Sequence, residues 1–434
     1  MGEFDKEQAI ADIAENLGIS KEYVNFDENK KIYIIKDNNN LKKIHIKNFN
    51  YKLYERYNLS FTKCIFECEI KDTRGLSSDI ENGIFFLKCE FENKILFFNL
   101  YFKNISFILC NFKNNTTFQA CTFKTFCNFE SSVFENFVSF DKSMFLDKVS
   151  FYNTHFHKVP NFSQAIFNEN LNIVNTKLNF TFSNLEEKIE QECEEFNKNK
   201  KEEDQKSLDK FANDFRDSFR IFKNALIKDN NLLDASNFHK YELYCKEIEL
   251  KNKKGKTFKD VVDRWQLIFY RKLCDHHTDI LQSLNSLILV IGIFVISSVA
   301  MVFGFNYSLG YKPILEHWYF SLDFYNHHIN SIIQDDYLLM IFVNLMILFI
   351  YLGLVGFALC LKYMREFFII ISYVITLLVL AVSPKILIPA MGIFTDKRAM
   401  LDPLSVFGGI YTIIFGFVAF SFIKTIRKNS IVPS

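Results

Sequence analysis

Cys110-Asn111-Phe112-Lys113-Asn114-Asn115-Thr116-Thr117-Phe118-Gln119-Ala120-Cys121-Thr122-Phe123 sets Phe at steps of six and then five. The alternation runs on through Phe129, Phe134, Phe140, Phe145, Phe151, Phe156, Phe162 and Phe167 to Ile173 and Leu178. Upstream, Phe86, Phe91, Phe97, Phe102 and Phe107 keep a looser version of it. A fixed period of this kind marks a repeat architecture. On a helix a step of five would swing the ring about 140° round the axis, so the rings would share no stripe. The segment is also rich in Phe, Asn, Ser and Thr, which suit strands and turns better than helices.

Two residues before most marked positions stands a small or aliphatic side chain: Cys64, Cys89, Cys110, Cys121, Cys127, Ser132, Val138, Ser143, Val149, Thr154, Ala165. Residues two apart on a strand point the same way, so both positions face inward and the intervening Asn, Lys, Asp and Glu face water. With Cys110-Asn111-Phe112, Cys121-Thr122-Phe123, Ser132-Val133-Phe134 and Ala165-Ile166-Phe167, the chain resembles the pentapeptide-repeat family. That resemblance implies a β-solenoid, a right-handed quadrilateral β-helix with four units per turn and the central Phe stacked along its axis. The marked positions from Phe86 to Leu178 would make about four and a half turns, a rod of about 22 Å. The six-residue steps and Pro160 depart from the family pattern and predict bulged corners. Cys64 and Phe66 suggest one irregular turn upstream, interrupted by a surface insertion from Lys71 to Glu81. Open solenoid ends expose unpaired backbone, so both need covers. Residues 1–60, with a helix from Glu7 to Leu17 and two strand-like runs, are the expected cap at one end. The helix after Leu185 is the candidate at the other.

Beyond the repeat, Phe211, Phe215, Phe219, Phe222 and Leu226 fall at helical spacing, Asp229-Asn230-Asn231 interrupts, and Ala235, Phe238, Tyr241, Cys245 and Ile248 form a returning stripe. This is an α-helical hairpin, and it resembles the helical segment that membrane-bound members of the family carry before their spans. A third helix, from Phe258 to near Ile280, leads on to four apolar runs: Ser286–Phe303, Tyr337–Leu361, Phe367–Val382 and Leu404–Ile423. Runs of about 20 residues cross a bilayer. The third is short, and Ile386 to Phe394 beyond Pro384 would extend it as a kinked or re-entrant piece. The expected domains are a cap (1–60), a β-helix (61–182), a helical linker and hairpin (185–282), an α-helical transmembrane domain of four spans (283–425) and a tail (426–434). Lys and Arg concentrate before the first span (Lys251, Lys253, Lys254, Lys256, Lys259, Arg264, Arg271, Lys272), in the turn with Lys362 and Arg365, and in the tail. This bias places both termini in the cytoplasm, and an inner membrane of a bacterium is the expected location. The N-terminus lacks the blocks of a secretory signal and a myristoylation motif.

Charge and composition exclude more functions than they suggest. Lys plus Arg number 51 against 50 Asp plus Glu in 434 residues, so no field of one sign draws in nucleic acid. Some soluble relatives in the resembled family imitate DNA with an acidic surface. Here the segment from Phe86 to Leu178 carries nine Lys against seven acids, and the sign is wrong. The predicted spans contain no ionisable side chain, only Asn344 as a strongly polar one, which favours an anchor over a transporter.

Candidate chemistry is sparse. Lys254-Gly255-Lys256-Thr257 matches the end of a phosphate-binding loop, but Leu250 stands where that loop needs Gly and a helix precedes it. His155 and His157 straddle inward Phe156 and would share a face, yet a metal would need a further ligand from another turn. His276-His277 and His327-His328 flank spans. The inward Cys residues are explained by packing. No catalytic, cofactor-binding or metal-binding residue is assigned and no cofactor is expected. The leading expectation is a non-enzymatic membrane protein whose cytoplasmic rod is a rigid scaffold for a protein partner, with self-association also compatible. The alternative is a channel or membrane sensor gated by the rod and hairpin, in which Trp318, Tyr319 and the paired His of the outer loop take part.

Overall fold

The computed structural model describes residues 3–39, 42–72, 78–176, 178, 180–198, 201, 205–311, 318–360, 362–382 and 401–429. It divides into two units, Met1–Arg264 and Trp265–Ser434.

In the first unit the chain winds into a β-solenoid of about six turns whose neighbouring coils pair in parallel. In the middle of the rod each coil contributes one ring to each of four inward columns. Phe91, Phe112, Phe134 and Phe156 stack at centroid spacings of 4.9, 4.4 and 5.2 Å, with planes within 10° of parallel. Phe86, Phe107, Phe129 and Phe151 follow at 4.7, 5.4 and 4.8 Å. Phe118–Phe140–Phe162 and Phe123–Phe145–Phe167 make the other two columns. Those spacings are close to the inter-strand distance, so backbone pairing and ring stacking fix the same register. Asn111 therefore lies opposite Val133 and Phe112 opposite Phe134. Adjacent columns meet edge-on, as in Phe129–Phe140 at 77°, the preferred arrangement of aromatic quadrupoles.

The two step lengths make two kinds of corner. In the five-residue steps the second residue after the Phe is left-handed: Ala120, Ser131, Lys142, Asn153, Gln164 and Asn175 have φ between 54° and 60°. Ser143 N–H donates to Phe140 C=O and Thr154 N–H to Phe151 C=O, both at 3.0 Å. A closed turn with positive φ at its third residue is the type II signature. The next residue is small, and where it is Ser, Thr or Cys it does more than fit. Its side chain donates to the Phe carbonyl one coil back, from Ser132 to Phe107 and Thr154 to Phe129 at 2.9 Å, and from Cys110 to Phe86 at 3.5 Å. The six-residue steps lack the left-handed residue and carry the aliphatic Val138, Val149 and Leu171 inward. The expected irregularity at Pro160 does not interrupt pairing, since Asn161 bridges Ser139 and donates to Val138 C=O at 2.9 Å. A register shift falls instead between Phe102 and Asn104.

The coil begins earlier than Phe spacing suggests. Strand Ile32–Ile35 pairs with Leu59–Thr62 and Ile44–Ile46 with Cys64–Phe66, so Ile35 and Ile46 occupy places that Phe61 and Phe66 hold in the next coil. Helix α1 (Glu3–Leu17) buries Ala9, Ile13, Ala14 and Leu17 in the same core, and α2 (Tyr51–Arg56) fills a gap in the coil. At the other end α3 (Phe182–Asn197) and the antiparallel pair α4 (Leu208–Lys228) and α5 (Leu232–Asn252) form the cover. Phe222 packs on Phe156 and Phe162, and Ser218 Oγ accepts from Phe162 N–H at 2.8 Å, so the last coil's backbone is partly satisfied by the helix. Glu242 ties the hairpin, accepting from Arg220 at 3.1 Å and Lys223 at 2.8 Å and meeting His239 at 3.1 Å.

Helix α6 (Phe258–Cys274) ends in three consecutive left-handed residues, Asp275, His276 and His277, and α7 (Ile280–Ser308) follows. Then come α8 (Trp318–Asp335), α9 (Tyr337–Cys360), α10 (Lys362–Val382) and α11 (Pro403–Asn429). Among the described residues three helical segments, Ile280–Ser308, Tyr337–Ala358 and Pro403–Lys428, are long and apolar enough to cross a membrane. They cover the first, second and fourth predicted runs. The third run lies in α10, and its proposed extension from Ile386 to Phe394 is outside the described residues. Asn344 is buried and donates to Leu401 C=O at 3.0 Å. Gly292 lets α7 approach α10 closely, because a Cβ there would collide with Ser372.

Candidate functional site

A cleft of about 1020 Å³ lies where the last coil meets the helical cover. The coil supplies Asn153, His155, His157 and Asn175, and the helices supply Lys188, Asp234, Asn237, Lys240 and Tyr241. Strand alternation puts His155 and His157 on the same side of Phe156, with ring centroids 4.6 Å apart. Lys188 reaches across from α3, donating to His157 C=O at 3.0 Å while its ammonium lies 4.8 Å from the Phe180 ring. Tyr241 O–H donates to Leu178 C=O at 3.2 Å, holding the chain that leaves the coil. The cleft thus offers amides, imidazoles, ammonium groups and one carboxylate over aromatic walls, a lining that suits a polar loop better than an apolar ligand. Among the described residues no cluster of three or more His, Cys, Asp or Glu is placed to hold a metal ion.

A second feature lies on the outer face over the Phe123–Phe145–Phe167 column. The register runs Tyr101, Thr122, Met144, Ile166 along the rod. Met144 and Leu146 straddle Phe145 and, with Ile166, are 36%, 38% and 50% exposed. Nearer the rod's beginning the same face is charged, with Lys103 on Glu81 at 2.8 Å and Lys124 on Asp79 at 3.1 Å. Here apolar side chains join the expected Asn, Lys, Asp and Glu on the outer face. The signal was present in the sequence, as apolar residues one before and one after an inward Phe.

The residues singled out in the sequence take structural places. Gly255 has φ 69°, just past the end of α5, and Thr257 caps α6, its Oγ1 accepting from Asp260 N–H at 3.2 Å while Asp260 accepts from Thr257 N–H at 2.9 Å. This reciprocal capping box accounts for the pattern that resembles a phosphate loop. Cys64, Cys89, Cys110, Cys121 and Cys127 are free thiols buried in the rod, and burial pushes Cys121 up to about 12 and Cys127 up as well. His276 and His277 lie in the left-handed turn, where His277 Nδ1 is 3.0 Å from Thr425 Oγ1. Burial, with Lys424 and Lys428 nearby, lowers His277 to about 4. His327 and His328 are neighbours on α8, with Tyr311 4.6 Å from His328. The side chains of Trp318 and Tyr319 lie outside the described residues. No protein family, curated protein or solved structure matches the chain.

Proposed function

We propose that this chain is a bacterial, membrane-anchored protein of the pentapeptide-repeat type, and that its rod is a non-enzymatic scaffold for a protein partner. The spans lie in the inner membrane with both termini in the cytoplasm, as the Lys and Arg bias suggests. The observation that carries the scaffold reading is the exposed set Met144, Leu146 and Ile166 on a face held flat by a column of stacked rings beneath it. An apolar patch on a rigid surface is a usual mark of protein contact. The cleft beside His155 and His157 supplies polar contacts near the same end of the rod.

Site-specific photocrosslinkers at Ile166 and, on another face, at Thr117 test the reading in native membranes. A discrete heterologous adduct from Ile166 alone supports it. Adducts only to a second copy, or equal labelling from both positions, would refute it.

A further inference from the structure

We propose that α6 is an interfacial helix that binds the anionic headgroup layer of a phospholipid leaflet, with its apolar stripe in the acyl region. The inference rests on the membrane reading of α7, α9 and α11. At 100° per residue, Phe258, Val261, Val262, Trp265 and Phe269 fall within an arc of about 100°. All five are exposed, Phe258 at 85% and Trp265 at 65%. Five large apolar side chains on one solvent-facing stripe form a patch that water does not favour.

Three features select lipid as the occupant. The first is charge. Lys254, Lys256, Lys259, Arg264, Arg271 and Lys272 lie along and beside this helix, and clustered cations next to a span attract anionic lipid by about 1 kcal/mol each. Lys272 follows the stripe round at its end, where a long stem in hydrocarbon with its ammonium among headgroups is the favourable arrangement. The second is attachment. The left-handed turn at Asp275–His277 breaks the helical axis, so α6 does not simply prolong the span α7. Side chains of α7's first turns then satisfy the end of α6: Gln282 donates to the Arg271 and Lys272 carbonyls, and Ser286 to the Leu273 carbonyl, all at 2.8 Å. The end of α6 is therefore pinned at the level where the span begins.

The third feature is continuity with the spans. Trp265, Phe269 and Lys272 line a groove of about 440 Å³ whose other walls are Leu352 and Val355 of α9 and Phe417 of α11. Phe269 lies 5.7 Å from Phe417. The stripe thus runs directly into the outward apolar surface of two spanning helices, which a bilayer covers. A helix with Trp and Phe on one face and Lys and Arg on the other has the composition of an interfacial anchor.

The test uses the full chain carrying Trp318→Phe, which leaves Trp265 as the sole tryptophan, reconstituted in phosphatidylcholine vesicles containing phosphatidylglycerol. Chain-brominated lipids of either headgroup report depth and enrichment around the indole. Expected are quenching from bromines in the upper half of the chains and about twofold stronger quenching by brominated phosphatidylglycerol at equal mole fraction. Lys254→Gln, Lys256→Gln and Lys259→Gln together should weaken the preference for phosphatidylglycerol while leaving the depth unchanged. Equal quenching before those substitutions overturns the anionic preference. Water-exposed emission without bromolipid quenching overturns the interfacial placement. A blue-shifted but unquenched indole means that protein, from this or a second copy, covers the stripe, and also overturns it. Alkaline carbonate extraction keeps the membrane reading separate: protein that stays in the pellet leaves that reading intact when the tryptophan result fails.

Discussion

The two units of the chain are built inside out with respect to each other. In the rod Phe fills the interior, with Phe112, Phe118, Phe129 and Phe140 fully buried, and polar residues dominate the outside. In the second unit Phe349, Leu377, Ile413 and Phe420 point outward, while Tyr351, Tyr411, Asn344 and Ser372 are buried. On the proposed membrane reading, one amino-acid alphabet gives both because the surrounding solvent differs. In water, apolar burial drives folding. In lipid, outward Leu and Phe cost nothing and association relies on close packing and polar contacts, as at Gly292 and between Asn344 and Leu401.

The largest expected effect breaks the rod at its centre. Phe129 touches rings above, below and beside it, so Phe129→Ala should cost about 3–5 kcal/mol, read from urea unfolding of residues 1–264. A matched pair then sharpens the contrast of solvents. Phe98 on the rod and Phe349 on α9 are both exposed, at 41% and 70%. Phe98→Lys should change unfolding by under about 0.5 kcal/mol, whereas Phe349→Lys should raise the cost of insertion by about 2.5–3.5 kcal/mol in a translocon assay. Equal effects at both positions would contradict a lipid-facing second unit.

Two carboxyls in the helical cover should titrate with opposite slopes. Burial would raise Glu242, but its bonds to His239, Lys223 and Arg220 win and hold it at about 2, below the usual 4.5. Its stabilisation is complete above pH 4.5 and is lost as pH falls towards 2. Discounted for partial exposure it is about 1–2 kcal/mol, and Glu242→Gln should flatten the acid limb of a Tm–pH profile. Glu192 has neither oxygen hydrogen-bonded among the described residues, and burial raises it to about 8. Its neutral form suits the fold below 4.5, and the penalty grows as pH climbs through 8. Glu192→Gln should therefore raise Tm more at pH 9 than at pH 5. A modest effect separates the corners: Thr154→Val leaves the Phe129 carbonyl without its side-chain donor and should cost about 1 kcal/mol by urea unfolding.

Much of this was legible in the sequence because one residue type marks one position. Phe at steps of five and six is visible without any structure, and so are the hairpin stripes and the long apolar runs. The first coil was not, because Ile35 and Ile46 replace Phe and α2 stretches the spacing between coils. Alternation at the small inward position was in view but unread. In the five-residue steps Cys110, Ser132 and Thr154 follow the left-handed residue and donate to a carbonyl one coil back, while Val138, Val149 and Leu171 hold the matching inward place in six-residue steps. The left-handed turn after α6 left no trace, since Asp275-His276-His277 has no Gly to advertise positive φ. Of the candidate site, His155 and His157 were foreseen as neighbours. Their helical counterparts Lys188 and Lys240 come from distant sequence whose placement only the packing of the cover decides.

The pairing of one short with one long corner makes half a coil the true unit of this rod. Duplicating eleven residues would preserve every local turn and every ring contact, yet the next segment would emerge on the opposite side of the rod. Duplicating twenty-two would lengthen it without turning anything. Growth of such a chain is therefore quantised in two grades, one that merely extends its reach and one that also reverses which side it shows.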